Sequence, residues 1–330
     1  MIEFLSDPSW IHPQIDFLLL LQHIRTSVPE IVDKIFLSIT IFGEFWLPTL
    51  ICAIVYWCID FRAGIYLFSL EGINTLFAHF FKMIACVYRP WILDNRIHPS
   101  KLAVPYARGY SFPSGHSFMS SSVLGGIAYI NRKNKIAVIF LILLILLVGF
   151  SRLWLGVHTP QDVLCGLLTG CILVFALKPL IDWAEKKENR YLYLLGIINT
   201  LAILALIYVY FFNTYRMDYV SGELLVEPER LKYNTAVVYA YSLGLINGCY
   251  LCRRFIPFNP KEISVIRRII RGIIGGTITV LLLKYVLETV IMNQIHFIIA
   301  VIPMFIVGFT ITFIYPLIFA KLINIINKKI

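Results

Sequence analysis

The chain has 330 residues, of which 59% are hydrophobic and 15% charged, and its mean hydropathy is +0.79. No polar stretch is long enough to fold as a soluble domain, which excludes an ordinary soluble enzyme. The formal net charge of +10 comes without a basic patch interleaved with aromatic residues, so nucleic acid is excluded as a partner. In so apolar a chain, excess Lys and Arg report orientation and contact with anionic lipid.

Taken in chain order, the first residues carry Glu3 and Asp7 where a signal peptide would carry a basic segment, and the apolar run Phe17 to Leu21 is short. No cleavable leader is expected. Residues 8–27 read as an interfacial amphipathic helix or a poor first span. Apolar runs of about 20 residues then predict membrane spans at 34–58, 63–88, 114–131, 136–152, 160–183, 191–212, 234–252, 267–291 and 296–320. Between them, the loop 89–112 is rich in Pro, Arg and aromatic residues, and 213–233 is the other sizeable loop. No internal repeat is visible, so an inverted-repeat transporter gains no support. Five of the seven cysteines (Cys52, Cys58, Cys86, Cys165, Cys171) fall inside expected spans and read as packing residues. Cys249 and Cys252 have redox-motif spacing without a thioredoxin-like setting. The expected fold is an all-α polytopic membrane bundle.

If the spans alternate, Lys82, Arg89, the segment Pro113 to His116 and the turn from Arg152 to Asp162 all fall on one side. The opposite side collects Arg62, Arg132, Lys133, Lys135, Lys186, Lys187 and Arg190. It also collects Arg253, Arg254, Lys261, Arg267, Arg268, Arg271, Lys328 and Lys329. The first side offers, apart from those motif cations, only Arg96, Lys101, Arg108, Arg216, Arg230 and Lys232. Positive charge marks the cytoplasmic face, so these motif residues are expected to face outward.

Those residues suit one chemistry. Displacement at a phosphate ester needs an in-line nucleophile, a proton for the departing oxygen, and neutralisation of the equatorial oxygens. His158 is the candidate nucleophile, since a neutral imidazole attacks phosphorus and the phosphohistidine can later be hydrolysed. The run Thr159-Pro160-Gln161-Asp162 reads as a helix start. From there Asp162 is placed to fold back on the His158 nitrogen that does not attack. A plain capping role for Asp162 is the alternative. His116 follows Pro113-Ser114-Gly115 at a helix opening, where N–H groups favour an anion. It is the candidate general acid, against an ordinary interfacial histidine. Lys82 lies just inside a span end, where it either snorkels or serves a site. Arg89 and Arg152 are suited to bidentate bonds with phosphate oxygens. Asp94, His98 and Glu223 are scattered and match no ligand pattern. No metal and no cofactor are therefore expected.

The three segments together resemble a known signature. Lys82-x6-Arg89-Pro90, Pro113-Ser114-Gly115-His116 and Ser151-Arg152-x5-His158-x3-Asp162 are similar to the tripartite motif of the type 2 phosphatidic acid phosphatase superfamily. That family includes lipid phosphate phosphatases, undecaprenyl-pyrophosphate phosphatases, glucose-6-phosphatase and vanadium haloperoxidases. The resemblance covers residues 34–183 and implies a six-helix core, with residues 8–27 supplying the sixth helix. It also implies metal-independent hydrolysis through a phosphohistidine. Residues 1–33 are then an N-terminal helix, and 184–330 about four additional transmembrane helices of unread purpose. Phosphate binding by Lys82, Arg89, Ser114, Gly115 and Arg152, and catalysis by His158, His116 and Asp162, agree with the family pattern. The missing soluble domain speaks against a haloperoxidase and for a lipid phosphate entering laterally, with Trp91, Tyr106, Tyr110 and Phe112 along its path. The expected setting is a bacterial plasma membrane with the site on the outer face, which ranks a pyrophosphate lipid carrier slightly first. Transfer of the phosphoryl group to another acceptor, and a lipid transporter or scaffold built on the extra spans, are the other two readings.

Overall fold

The computed structural model describes residues 8–215, 217–220, 223–256, 258–287, 289 and 296–327. Arg216, Lys328 and Lys329, used above for sidedness, and the end of the expected span 267–291 lie outside them. The chain is helical almost throughout. The helices are α1 (Pro8–Ser27), α2 (Ile31–Thr40), α3 (Trp46–Ile54), α4 (Phe61–Ala85), α5 (Pro90–Leu93), α6 (Gly115–Ile130) and α7 (Lys135–Trp154). They continue with α8 (Pro160–Glu185), α9 (Glu188–Ile207), α10 (Pro228–Phe255), α11 (Val265–Leu282), α12 (Phe297–Phe309) and α13 (Tyr315–Asn327). A two-residue antiparallel pair, β1 (Tyr219–Val220) with β2 (Glu223–Leu224), interrupts the second long loop.

Among the described residues seven helices are long and apolar enough to cross a membrane, or eight counting one bent pair. The chain is therefore a multi-pass membrane protein. Three expectations are refined. Residues 8–27 form a helix interrupted in composition by Pro13, and it is not among those seven. The span expected at 34–58 is two helices, 31–43 and 46–59, bent by 51°. Pro48 has no N–H for the carbonyl four residues back and clashes with it, so the helix cannot run straight through Glu44, which is extended (ψ 156°). The span expected at 114–131 is the 16-residue α6, about 24 Å long and short of the ~30 Å hydrocarbon core.

The chain divides into two compact units: residues 1–44, 77–174 and 205–232, and residues 45–76, 175–204 and 233–330. In the first, Ser114, which caps α6, and Ser117 and Ser121 within it are buried against α8, where Gly166 and Gly170 lie one turn apart. Ser121 donates to the Gly166 carbonyl at 3.3 Å. A Cβ on Gly166 would stand 2.7 Å from the Ser114 carbonyl and 3.1 Å from the Phe118 nitrogen. In lipid no hydrophobic force pulls helices together, and small residues of this spacing supply the contact instead. Helix α1 packs Ile11, Ile15, Leu18 and Leu21 around Ile97 of the long loop. Arg25 donates to the carbonyls of Trp154, at 2.9 Å, and His98.

In the second unit several polar groups are paired across helices. Tyr56 donates to the Thr312 carbonyl at 2.9 Å, Trp57 to Ile311 at 3.0 Å and Tyr239 to Leu76 at 2.7 Å. Glu71 of α4, fully buried, is hydrogen-bonded to Thr49, whose hydroxyl lies 3.1 Å from that of Tyr241. Cys249 and Cys252 are buried free thiols.

Candidate active site

Every residue singled out from the sequence lies in the first unit, and the helix ends explain how they meet. Pro90 forces the preceding residue out of the helical region, so Arg89 is extended (φ −68°, ψ 154°) and turns back toward the loop. Its Nε donates to the Gly109 carbonyl at 3.1 Å, Nη2 to Arg108 at 3.1 Å and Nη1 to Val157 at 2.8 Å. The same Nη1 lies 2.9 Å from Nε2 of His158. Lys82, one turn from the end of α4, donates to the carbonyls of Tyr110 (3.0 Å) and Ser111 (3.5 Å). Both cations are thus laid along the loop 108–111.

Helix α7 ends at Gly156, whose φ of +71° turns the chain so that Val157 and His158 point inward. A side chain there would also meet Arg25 and Pro99 at 3.2 Å, so glycine is required on both counts. His158 is almost fully buried. Its Nδ1 lies 3.2 Å from Ser111 Oγ and 3.4 Å from Asp162 Oδ2, and Ser111 donates to that same oxygen at 2.5 Å. Asp162 also accepts the Thr159 N–H at 2.8 Å, the backward half of a capping box. Asp162 thus caps the start of α8 and also lies beside the His158 ring.

This geometry selects a tautomer. Arginine can only donate, so the Nε2 it meets is the acceptor nitrogen and the proton sits on Nδ1, facing Ser111 and Asp162. Burial first, and then the charges of Arg89, Lys82, Arg152 and His116, pushes the His158 pKa well below its ordinary value. The ring is neutral at physiological pH.

Ser114 caps α6: its Oγ accepts the N–H of Ser117 at 3.4 Å and its own N–H is donated to the Asp162 carbonyl at 3.0 Å. That bond joins the starts of α6 and α8. Space beside Gly115 is open, with no atom within 4 Å of where a Cβ would stand. His116 follows, with Nε2 buried and without a hydrogen-bond partner. Arg152 is buried too; its Nη1 donates to Thr40 Oγ1 at 2.9 Å and its Nε has no partner. Among the described residues no group of three or more His, Cys, Asp or Glu is placed to hold a metal ion.

Sequence reasoning missed Ser111 and Thr40. The first sits among the loop residues read only for their aromatic neighbours, and the second on a helix read only as a span. Of those aromatics, Tyr110 is buried and Tyr106 is 64% exposed, while Trp91 packs beside Ile97 and Trp154.

Fold and site together define a polytopic helical membrane protein with a buried histidine–carboxylate pair and the cations Lys82, Arg89 and Arg152 in the same unit. Comparison with known proteins agrees: residues 62–186 match the PAP2 superfamily, and residues 236–328 match the PAP2 superfamily phosphatase transmembrane extension. The chain belongs to the PAP2 (type 2 phosphatidic acid phosphatase) superfamily. Phosphatidylglycerophosphatase B of Bacillus subtilis is 33% identical over 105 residues, 29% of this chain and 51% of that protein. An undecaprenyl-diphosphatase of Sulfolobus acidocaldarius is 34% identical over 94 residues, 28% of this chain and 43% of that one. The chain thus spans about half the length of the curated relatives it matches. The crystal structure of the first transmembrane PAP2 type phosphatidylglycerolphosphate phosphatase from Bacillus subtilis aligns with a TM-score of 0.40 and 23% identity, over 55% of this chain and 92% of that one.

Proposed function

We propose that this protein hydrolyses a lipid phosphate or pyrophosphate ester through a phosphohistidine on His158, without a metal ion. The observation that carries the reading is the hydrogen bonding of the His158 ring, with Nδ1 toward Ser111 and Asp162 and Nε2 toward Arg89. It leaves Nε2 with the lone pair, on the side where the cations are. A substrate phosphate drawn to Arg89, Lys82 and Arg152 takes over the Arg89 donor, and Nε2 attacks phosphorus in line. The bond to the lipid oxygen breaks as His116 delivers a proton to it. The positive charge that forms on the imidazole is stabilised through Nδ1 by Ser111 and Asp162. Water then attacks the phosphohistidine, His116 takes its proton, and inorganic phosphate leaves. The first N–H groups of α6, at Gly115 and His116, are those a helix start offers to an anion, and the Ser114 cap fixes that start.

Three cations supply the charge neutralisation that a divalent ion gives in other phosphatases. The named relatives act on phosphatidylglycerophosphate and undecaprenyl diphosphate, both lipids carrying a terminal phosphate, and the membrane-spanning helices of this chain support a lipid substrate. Outward orientation in a bacterial plasma membrane is supported by the distribution of Lys and Arg. The test is phosphate release by purified protein from a panel of lipid phosphates, with EDTA present. Turnover should persist, and His158→Ala should remove it. Loss of turnover in EDTA with recovery on Mg²⁺ would refute the metal-free mechanism.

A further inference from the structure

Within the second unit, α3 and the turn after it lie beside α11 along an open groove of about 850 Å³. Its walls are aliphatic, with Leu50, Ile54 and Ile59 on one side and Ile269, Ile273 and Val280 on the other. Arg268 is the single charged residue lining it. The distance along α11 from Arg268 to Val280 is about 18 Å, comparable with the ~15 Å depth of one leaflet's hydrocarbon. The groove therefore has the length of one acyl chain, with a guanidinium at one end.

Arg268 and Arg271 both keep buried guanidinium nitrogens without a hydrogen-bond partner, but of the two only Arg268 lines the groove. Its Nε is shielded from solvent and has no hydrogen-bond partner. Arg271, one turn on, lies between the rings of Phe258 and Phe319 at 4.8 and 5.2 Å and donates to the Trp57 carbonyl at 3.0 Å. Lys261 is paired with Asp60 at 3.1 Å. With Arg267 beside it and α11 starting at Ser264, the Arg268 end of the groove is basic, and the other end is apolar.

From these observations we infer that the groove binds one anionic phospholipid of the surrounding bilayer, an acyl chain lying along α11 and the phosphodiester accepting from Arg268. Charge complementarity selects this occupant: a zwitterionic lipid fills the groove equally well but returns a cation to the basic end, at a cost of about fivefold in affinity. This site is separate from the His158 site, and its occupancy does not rest on the proposed reaction.

The measurement is native mass spectrometry of the purified full chain, exchanged into detergent with equimolar phosphatidylglycerol and phosphatidylcholine of identical acyl chains. The wild type should retain phosphatidylglycerol about fivefold over phosphatidylcholine. Arg268→Gln should bring the ratio close to one, which separates this site from any anionic lipid held near His158. Ile273→Trp, at a position 64% exposed, should lower retention of both lipids by filling the groove. Equal retention by the wild type overturns the inference, as does a preference that survives Arg268→Gln. If Arg268→Gln yields no folded protein, the wild-type ratio and Ile273→Trp decide, and unchanged phosphatidylglycerol retention in the latter rejects it.

Discussion

The hydroxyl of Ser111 stands closer to the His158 ring than the carboxylate of Asp162 does, 3.2 Å against 3.4 Å. The ring of His158, the proposed nucleophile, thus meets a serine as well as the acid. Ser111→Ala should lower kcat by about tenfold, the worth of one hydrogen bond of roughly 1 kcal/mol or slightly more in the transition state. Asp162→Asn should cost on the order of 10³-fold, because the ring loses both its tautomer and its counter-charge. Wild-type kinetics in Ser111→Ala would show the serine to be a bystander. The lowered His158 pKa also sets a pH dependence. With the folded value depressed by burial and by Arg89, Lys82, Arg152 and His116, the neutral form persists as pH falls through ~6.5, where an ordinary histidine is half protonated. The acid limb of kcat/KM, corrected for the substrate's own ionisation, should lie below that pH. A His158-dependent limb at or above 6.5 would contradict the assignment. The eight candidate residues could be picked out because they lie in three short motifs of fixed spacing. Ser111 could not, since a serine in a loop carries no signal until the fold brings His158 and Asp162 to it.

At the scale of elements, the site depends on how closely α6 and α8 approach. Gly166 abuts the Ser114 carbonyl, and Ser114 in turn bonds the Asp162 backbone, so packing and chemistry share one contact. Gly166→Leu should push the start of α6 away from α8. We expect a large fall in kcat with the protein still inserted in the membrane, together with a lowered thermal transition in detergent. Gly125→Ala on α6, facing only a Val174 methyl of α8 at 3.3 Å, is the mild control. A Gly166→Leu protein as active and as stable as its parent would show that the approach is not needed. The helices themselves were readable from apolar runs, because lipid requires each span to satisfy its own backbone. The 51° break between α2 and α3 was hidden because hydropathy does not register Pro48. The shortness of α6 was legible in its flanks, Pro113 and Ser114 before it and Asn131 to Asn134 after it, which bound the apolar run.

For the whole molecule, the orientation inferred from Lys and Arg leads to a labelling experiment. In a background without native cysteines, single cysteines in the loop 91–112 should react with an impermeant thiol reagent added to intact cells. Cysteines near Lys133 or Lys187 should be protected until the membrane is opened. Labelling of the Lys133 loop from outside would reverse the topology and remove the reason for ranking outer-leaflet pyrophosphate lipids first. The extra helices were expected only as spans of unread purpose, and their pairing was not visible in the sequence. The buried contact of Glu71 with Thr49 and Tyr241 joins residues up to 192 positions apart. That contact bears on how the protein is made. The two least apolar candidate spans, 61–93 and 228–255, with mean hydropathies of 1.2 and 1.3, are also the most enclosed, at 56% and 83% of their apolar windows. The first is a poor passenger for a translocon that tests helices one at a time, since Glu71 and Asn74 would meet lipid alone. During synthesis the α4 segment must therefore wait, lodged beside the insertion machinery, until α10 emerges some 150 residues later. A chain released before residue 228 would strand that carboxyl in the bilayer and become prey for quality-control proteases.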